Sequence, residues 1–114
     1  APLSEVKLAW AAGYFDGEGH TGLDHKRQST WSAKIQIGST DLEPLERFKD
    51  AVGGVGSING PYKRKDADHY RPYWQYSCAN FEGVQHIVAV LWKHLSEPKR
   101  SQMADVLRAV RGEI

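Results

Sequence analysis

A glycine in mid-helix constrains this chain more than any other feature. Residues 3–16 carry helical periodicity, with Ser4 placed to cap the start and Glu5 in the first turn. Leu8, Ala11, Tyr14 and Phe15 share an apolar core face, with Trp10 beside them. Ala9, Ala12, Gly13 and Asp16 fall at i, i+3, i+4 and i+7 and share a second face that is nearly bare of side chain. Gly13 costs the helix about 1 kcal/mol relative to alanine, and close approach of a second helix backbone is a reason to keep it. Two carboxylates follow, Asp16 and Glu18, separated by Gly17 and followed by Gly19. The two glycines are expected to end the helix. Acids at a helix C-terminus oppose its macrodipole, a conflict that a cation such as a metal ion would remove. The same spacing also fits an ordinary packing face followed by a polar turn.

The rest of the chain alternates between the two periodicities. Residues 20–28 and 30–38 read as strands, the second with Trp31, Ala33, Ile35 and Ile37 on one face and Thr30, Ser32, Lys34 and Gln36 on the other. Thr40 and Glu43 have capping-box spacing before a helix bearing Leu42, Leu45, Phe48 and Val52, which Gly53 and Gly54 stop. Residues 55–62 and 70–78 read as two more strands around a charged loop. Asn80 can cap a third helix with Val84, Ile87, Val88, Leu91 and Leu95 at helical spacing. Pro98 is expected to break it at Glu97, before a last helix with Met103, Val106, Leu107 and Val110 on one side. The predicted order is α-β-β-α-β-β-α-α, an α+β fold in a single domain over residues 1–114.

A chain of 114 residues suits one modest core, and its 40% hydrophobic and 25% charged composition is that of a globular domain. No apolar run is long enough to cross a membrane, and no signal peptide is expected. One cysteine, Cys78, excludes an internal disulfide and fits a reducing cytoplasm, or an organellar matrix if the chain is organelle-encoded. A net charge of +1 means that any nucleic-acid surface must concentrate its cations on one face. The segment Gly53-Gly54-Val55-Gly56 lacks the Gly-Lys-Ser/Thr of a phosphate loop. The five histidines have no zinc spacing.

The run Ala11-Ala12-Gly13-Tyr14-Phe15-Asp16-Gly17-Glu18-Gly19 resembles the signature that names the LAGLIDADG homing endonucleases. Ala12, Gly13, Asp16 and Gly19 match its letters, and Glu18 stands where the second acid belongs. Tyr14 and Phe15 replace the aliphatic pair, Gly17 the second Ala, and Ala11 the leading Leu. The element order is the family's, and the run Leu95-Ser96-Glu97-Pro98-Lys99-Arg100-Ser101-Gln102 is similar to its basic segment before the terminal helix. The resemblance implies a saddle-shaped antiparallel sheet backed by helices and a homodimer, since only one motif is present. Ala9, Ala12, Gly13 and Asp16 would form the twofold contact. It implies an endonuclease that hydrolyses phosphodiesters in a long, pseudo-palindromic double-stranded DNA target, in the setting of intron or intein mobility.

The cofactor implied is Mg²⁺, with Ca²⁺ or Mn²⁺ able to substitute for binding. Glu18 matches the metal-binding acid and the Gly17 carbonyl a further ligand; oxygen donors suit Mg²⁺, which takes few protein carboxylates. Asp16 is expected to be a structural acid. Lys99 matches a basic residue near the scissile phosphate, where it could stabilise developing charge. The water-ordering position falls on Ser39, with Gln36 nearby, a departure from the glutamine common there. The polar strand faces supply the DNA-reading candidates: His20, Asp24, Lys26 and Gln28; Ser32, Lys34 and Gln36; Arg71, Tyr73 and Gln75. Lys63 and Arg64 would serve phosphates. Two other functions compete. A maturase or transcription regulator would keep the fold without cleavage, and a protein-binding α/β domain would bind DNA weakly and without steep salt dependence.

Overall fold

The computed structural model describes residues 3–26, 30–63 and 71–111, with all side chains there except those of 24–26, 30, 31 and 111. The elements follow the predicted order: α1 (Glu5–Glu18), β1 (Gly19–Lys26), β2 (Thr30–Ser39), α2 (Leu42–Ala51), β3 (Ser57–Tyr62), β4 (Tyr73–Cys78), α3 (Phe81–Leu91), a 3₁₀ turn (Trp92–His94) and α4 (Glu97–Arg111). The strands form one antiparallel sheet in the order β1-β2-β4-β3. Among the described residues, no helix is long and apolar enough to cross a membrane.

Alternation places the sheet's two faces. Ala33, Ile35, Ile37, Tyr76 and Cys78 point to the helices and are buried with Leu8, Phe15, Leu45, Phe48, Ile87, Leu91 and Met103 in one cluster. Phe48 meets Tyr76 edge-on at 5.0 Å, and the Tyr76 hydroxyl donates to the Val55 carbonyl at 2.7 Å, so the largest buried ring keeps its polar end satisfied. The one cysteine, Cys78, is a core residue, and burial pushes its thiol pKa up.

Helix ends depart from the sequence reading in several places. Ser4 caps α1 through its hydroxyl, which accepts from Lys7 N–H at 3.3 Å. The helix does not stop at Asp16, however; Gly17 and Glu18 are helical, and Gly19 is the cap. Gly19 is required there because a Cβ would overlap the Phe15 ring. The residue before α2 is Asp41, not Thr40, and it makes no side-chain cap bond; instead its own N–H donates to the Ser39 hydroxyl at 3.0 Å. Asn80 caps α3 as predicted, accepting from Gly83 N–H at 2.6 Å. That helix ends at Leu91, ahead of Pro98, which sits in the first turn of α4, where a missing N–H costs nothing. Strands β3 and β4 begin at Ser57 and Tyr73, later than the pattern suggested, so Arg71 precedes its strand.

Candidate nucleic-acid interface and metal-binding pole

The outward side of α1 is bare. Val6 is 81% exposed, and Ala9, Gly13 and Gly17 continue from it along the helix. A Cβ built on Gly13 or Gly17 meets nothing within 4 Å, so this stripe is open in the single chain. Ala12, expected on this face, is instead fully buried in the chain's own core. It lies four residues after Leu8 and three before Phe15, which turns it inward with them. Val6 was missed, although it is three residues before Ala9 and seven before Gly13. Asp16 is half-buried and engaged within the chain: its carboxylate accepts from Ser96 N–H at 3.2 Å and from the Ser96 hydroxyl at 2.9 Å. These bonds tie the end of α1 to the residue before α4.

Beyond Asp16 the helix ends in a polar pole. Glu18 is exposed and makes no ion pair or side-chain hydrogen bond among the described residues. The Gly19 N–H closes the last helical bond on Phe15, so the Gly17 carbonyl belongs to the last turn, whose acceptors have no helical donor. No basic residue lies in that turn. The cation comes from far along the chain: Lys99 Nζ donates to the Gly19 carbonyl at 2.7 Å and lies 5.6 Å from the centre of the Phe15 ring. The conflict between the acids and the helix dipole is thus met in part by an ammonium group. Among the described residues no group of three or more acids, histidines or cysteines could hold a metal. One free carboxylate and a carbonyl form an incomplete set of hard oxygen donors. They fit Mg²⁺ or Ca²⁺ if phosphate, water or a second chain completes the shell.

Tyr14 stands one turn before Glu18. Its ring stacks on Trp10 at 5.2 Å and 8°, and the Arg47 guanidinium lies 3.9 Å over the Trp10 ring. Burial raises the Tyr14 phenol pKa, a hydrogen bond with Ser39 opposes that shift, and the charges of Glu18 and Asp41 add to it. Ser39 is half-buried at the end of β2, where it lines an open recess with Gly38, Thr40 and Tyr73.

The face of the sheet away from the core is polar. Register aligns His20, Gln36, Ser77 and Ser57 in one row across all four strands, and Gly38, Gln75 and Asn59 in the next. Glu18 directly precedes the first pair of the β1–β2 ladder, Gly19 with Ile37, and so borders this face. Lys34 pairs with Gly22, and Asp24 with Ser32. Lys63 is exposed at the end of β3. Arg71 reaches not onto the sheet but to Asp41, 3.1 Å away, in an exposed ion pair. The backbones of Asp24 and Lys26 lie in β1, but their side chains are outside the described residues, as are Gln28 and Arg64 entirely.

This architecture, a four-stranded antiparallel sheet with one open polar face and helices on the other, is the homing-endonuclease fold. I-CvuI, solved with the I-CreI target in the presence of Mg, superposes with a TM-score of 0.72 at 19% identity, over 94% of this chain and 67% of that one. I-AabMI bound to uncleaved DNA gives 0.71 at 21%, over 92% and 35%. The group I intron-encoded I-CeuI, also complexed with DNA, gives 0.70 at 11%, over 97% and 56%. The chain thus spans about two thirds of I-CvuI and about a third of I-AabMI. No curated protein matches by sequence. The profile of the LAGLIDADG-like domain matches residues 5–91, and the chain belongs to that family.

Proposed function

We propose that the chain is a site-specific DNA endonuclease domain that works as a homodimer with Mg²⁺ on a long, pseudo-palindromic duplex. One observation carries the reading: an unpaired Glu18 carboxylate ends a bare-faced helix at the border of an open polar sheet, with Lys99 bound beside it. Two copies joined through Val6, Ala9, Gly13 and Gly17 would bring both Glu18 side chains toward the twofold axis. Each Glu18 and Gly17 carbonyl would hold a divalent ion, which supplies Lewis-acid activation of the phosphodiester when bound. Glu18 supplies charge at that place, Lys99 presents an ammonium group to a phosphate oxygen, and Ser39 or Gln36 orders the attacking water. The open face reads bases through Gln36, Gln75, Lys34 and His20, while Lys63 holds phosphate.

The test begins with selection of cleaved sites from a randomised palindromic DNA library in Mg²⁺. Single-turnover cleavage of a selected site then compares wild type with Glu18→Gln, which keeps the shape and removes the charge. The variant should bind the site, more tightly than wild type in the absence of metal, and lose cleavage. Ca²⁺ should support wild-type binding without efficient cutting. Comparable cleavage by both proteins removes Glu18 from the mechanism. Tight binding with no cleavage by either favours a non-cleaving regulator or maturase, and weak, salt-insensitive binding favours a protein-binding domain.

A further inference from the structure

Gly22 stands in the middle of β1, where a glycine weakens the strand. Its backbone does not require one: the described glycines with positive φ are Gly53, Gly54, Gly56 and Gly60, so position 22 would accept an L-residue. The reason lies in the space above it. A Cβ built on Gly22 would lie 2.9 Å from His20 Nε2, nearer than the Cδ2 of the same ring at 3.5 Å and its Cε1 at 3.9 Å. His20 is exposed and two residues earlier, so it leaves the same side of the strand. The imidazole therefore lies along β1 with its Nε2 tip over Gly22, pointing down the strand away from Glu18. Gly38, also on the open face, has nothing within 4 Å of such a Cβ, so a filled gap is particular to Gly22.

Register gives that lean a consequence. The backbone of His20 is opposite Gln36, but Gly22 is opposite Lys34. Side chains directly opposite each other in an antiparallel pair start about 5 Å apart. The tip of His20 thus takes the place beside Lys34 that a side chain at position 22 would hold. We propose that Gly22 is a specificity-determining positioning residue: its missing side chain lets His20 reach the row of Lys34, where the two donate to the N7 and O6 of one guanine. Guanine presents two acceptors and no donor in the major groove. A lysine ammonium and an imidazole in its Nε2-protonated form are both donors. Two residues of strand span about 7 Å, so the lean carries the histidine out of the row of Gln36 and onto a neighbouring part of the site. The proposal rests on the DNA-recognition half of the endonuclease reading and needs no cleavage.

The test is selection of bound sites from a randomised palindromic duplex library in Ca²⁺, which reads base preference without cutting. His20→Ala and Lys34→Ala should each weaken preference for guanine about fivefold or more, at the same position and its symmetry mate. Gly22→Ala keeps both donors but drives the imidazole from its place, and should lose as much at that position as His20→Ala. Gly22→Ala/His20→Ala should lose no more than His20→Ala alone. The melting temperature of Gly22→Ala should not fall, since alanine suits a strand better than glycine. A wild-type profile for Gly22→Ala overturns the proposal. So do losses that multiply in the double variant, effects of His20→Ala and Lys34→Ala at different positions, or a Gly22→Ala protein that melts lower, which marks a packing role. A wild type with no base preference overturns this proposal and the endonuclease reading together. A wild type that selects sites but never cuts them in Mg²⁺ overturns the endonuclease reading alone, and the profiles still decide the role of Gly22.

Discussion

Lys99 donates a 2.7 Å hydrogen bond to the carbonyl of Gly19, across 80 residues of sequence, and so lays an ammonium group against the acidic end of α1. Replacing it by methionine keeps the stem that lies near the Phe15 ring and removes the charge. Lys99→Met should slow single-turnover cleavage by about a hundredfold, the scale of one lost charge-stabilising donor. Its unfolding free energy in urea should fall by up to about 1 kcal/mol, since the helix end loses its cation. Unaltered cleavage would make Lys99 a structural lysine only.

Gly13 and Ala12 are adjacent in sequence and opposite in environment, and leucine at each should fail differently. Gly13 has open space outside it, so Gly13→Leu should fold and melt near wild type, yet sediment as a monomer and lose tight DNA binding. Ala12 is fully buried, so Ala12→Leu should lose roughly 1–3 kcal/mol of stability through overpacking. Ultracentrifugation and thermal melts distinguish the two. A dimeric, cleaving Gly13→Leu protein would refute the proposed interface.

Stability below pH 4.5 should depend on Glu5. Hydrogen bonds from Lys93 and then His94, both with nitrogens 3.0 Å from Glu5 Oε2, hold its carboxyl below the ordinary 4.5. A carboxyl depressed in the folded state adds stability above its unfolded pKa and loses it as pH falls through the folded one. Glu5→Gln should therefore flatten the decline in the urea midpoint just below pH 4.5, an effect that added salt diminishes because the pair is exposed. Identical pH profiles for both proteins would remove Glu5 from the acid transition.

Base reading should centre on Gln75, which pairs with Gly38 on one side and Asn59 on the other in the middle of the open face. Glutamine suits the paired acceptor and donor of adenine, so Gln75→Ala should relax preference at one position and its symmetry mate by about 1–3 kcal/mol. Lys63→Ala should instead weaken all sites alike and lower the salt slope. Preference profiles from the selected library, before and after substitution, measure both. An unchanged profile for Gln75→Ala would place the reading face elsewhere.

Strand β2 was legible because it buries one face, so Ala33, Ile35 and Ile37 repeat at every second residue. The end of α1 was not. Gly17 has no side chain to show which conformation it prefers, and the need for a glycine at position 19 comes from the Phe15 ring, which leaves no room for a Cβ there and whose place is set by packing. Ala12 was assigned to the wrong face because a methyl group is compatible with both a core and a helix contact; only its spacing from Leu8 and Phe15 distinguishes them. Asp16 and Glu18 were legible as a pair of acids, but their separate fates depend on Ser96 and Lys99, which adjacent sequence cannot reveal.

The bond between Asp16 and Ser96 has a bearing on how such a chain can change over generations. Asp16 lies two residues before Glu18, and Ser96 three before Lys99, so this fastening and the Lys99 bond to the Gly19 carbonyl together hold the acid and the ammonium group at one end of α1. None of the residues on the open sheet face takes part in it. Substitutions at His20, Lys34 or Gln75 on that face would therefore leave the fastening between Asp16 and Ser96 in place. Under the endonuclease reading, a lineage could change its target on that face while Glu18 and Lys99 keep their places.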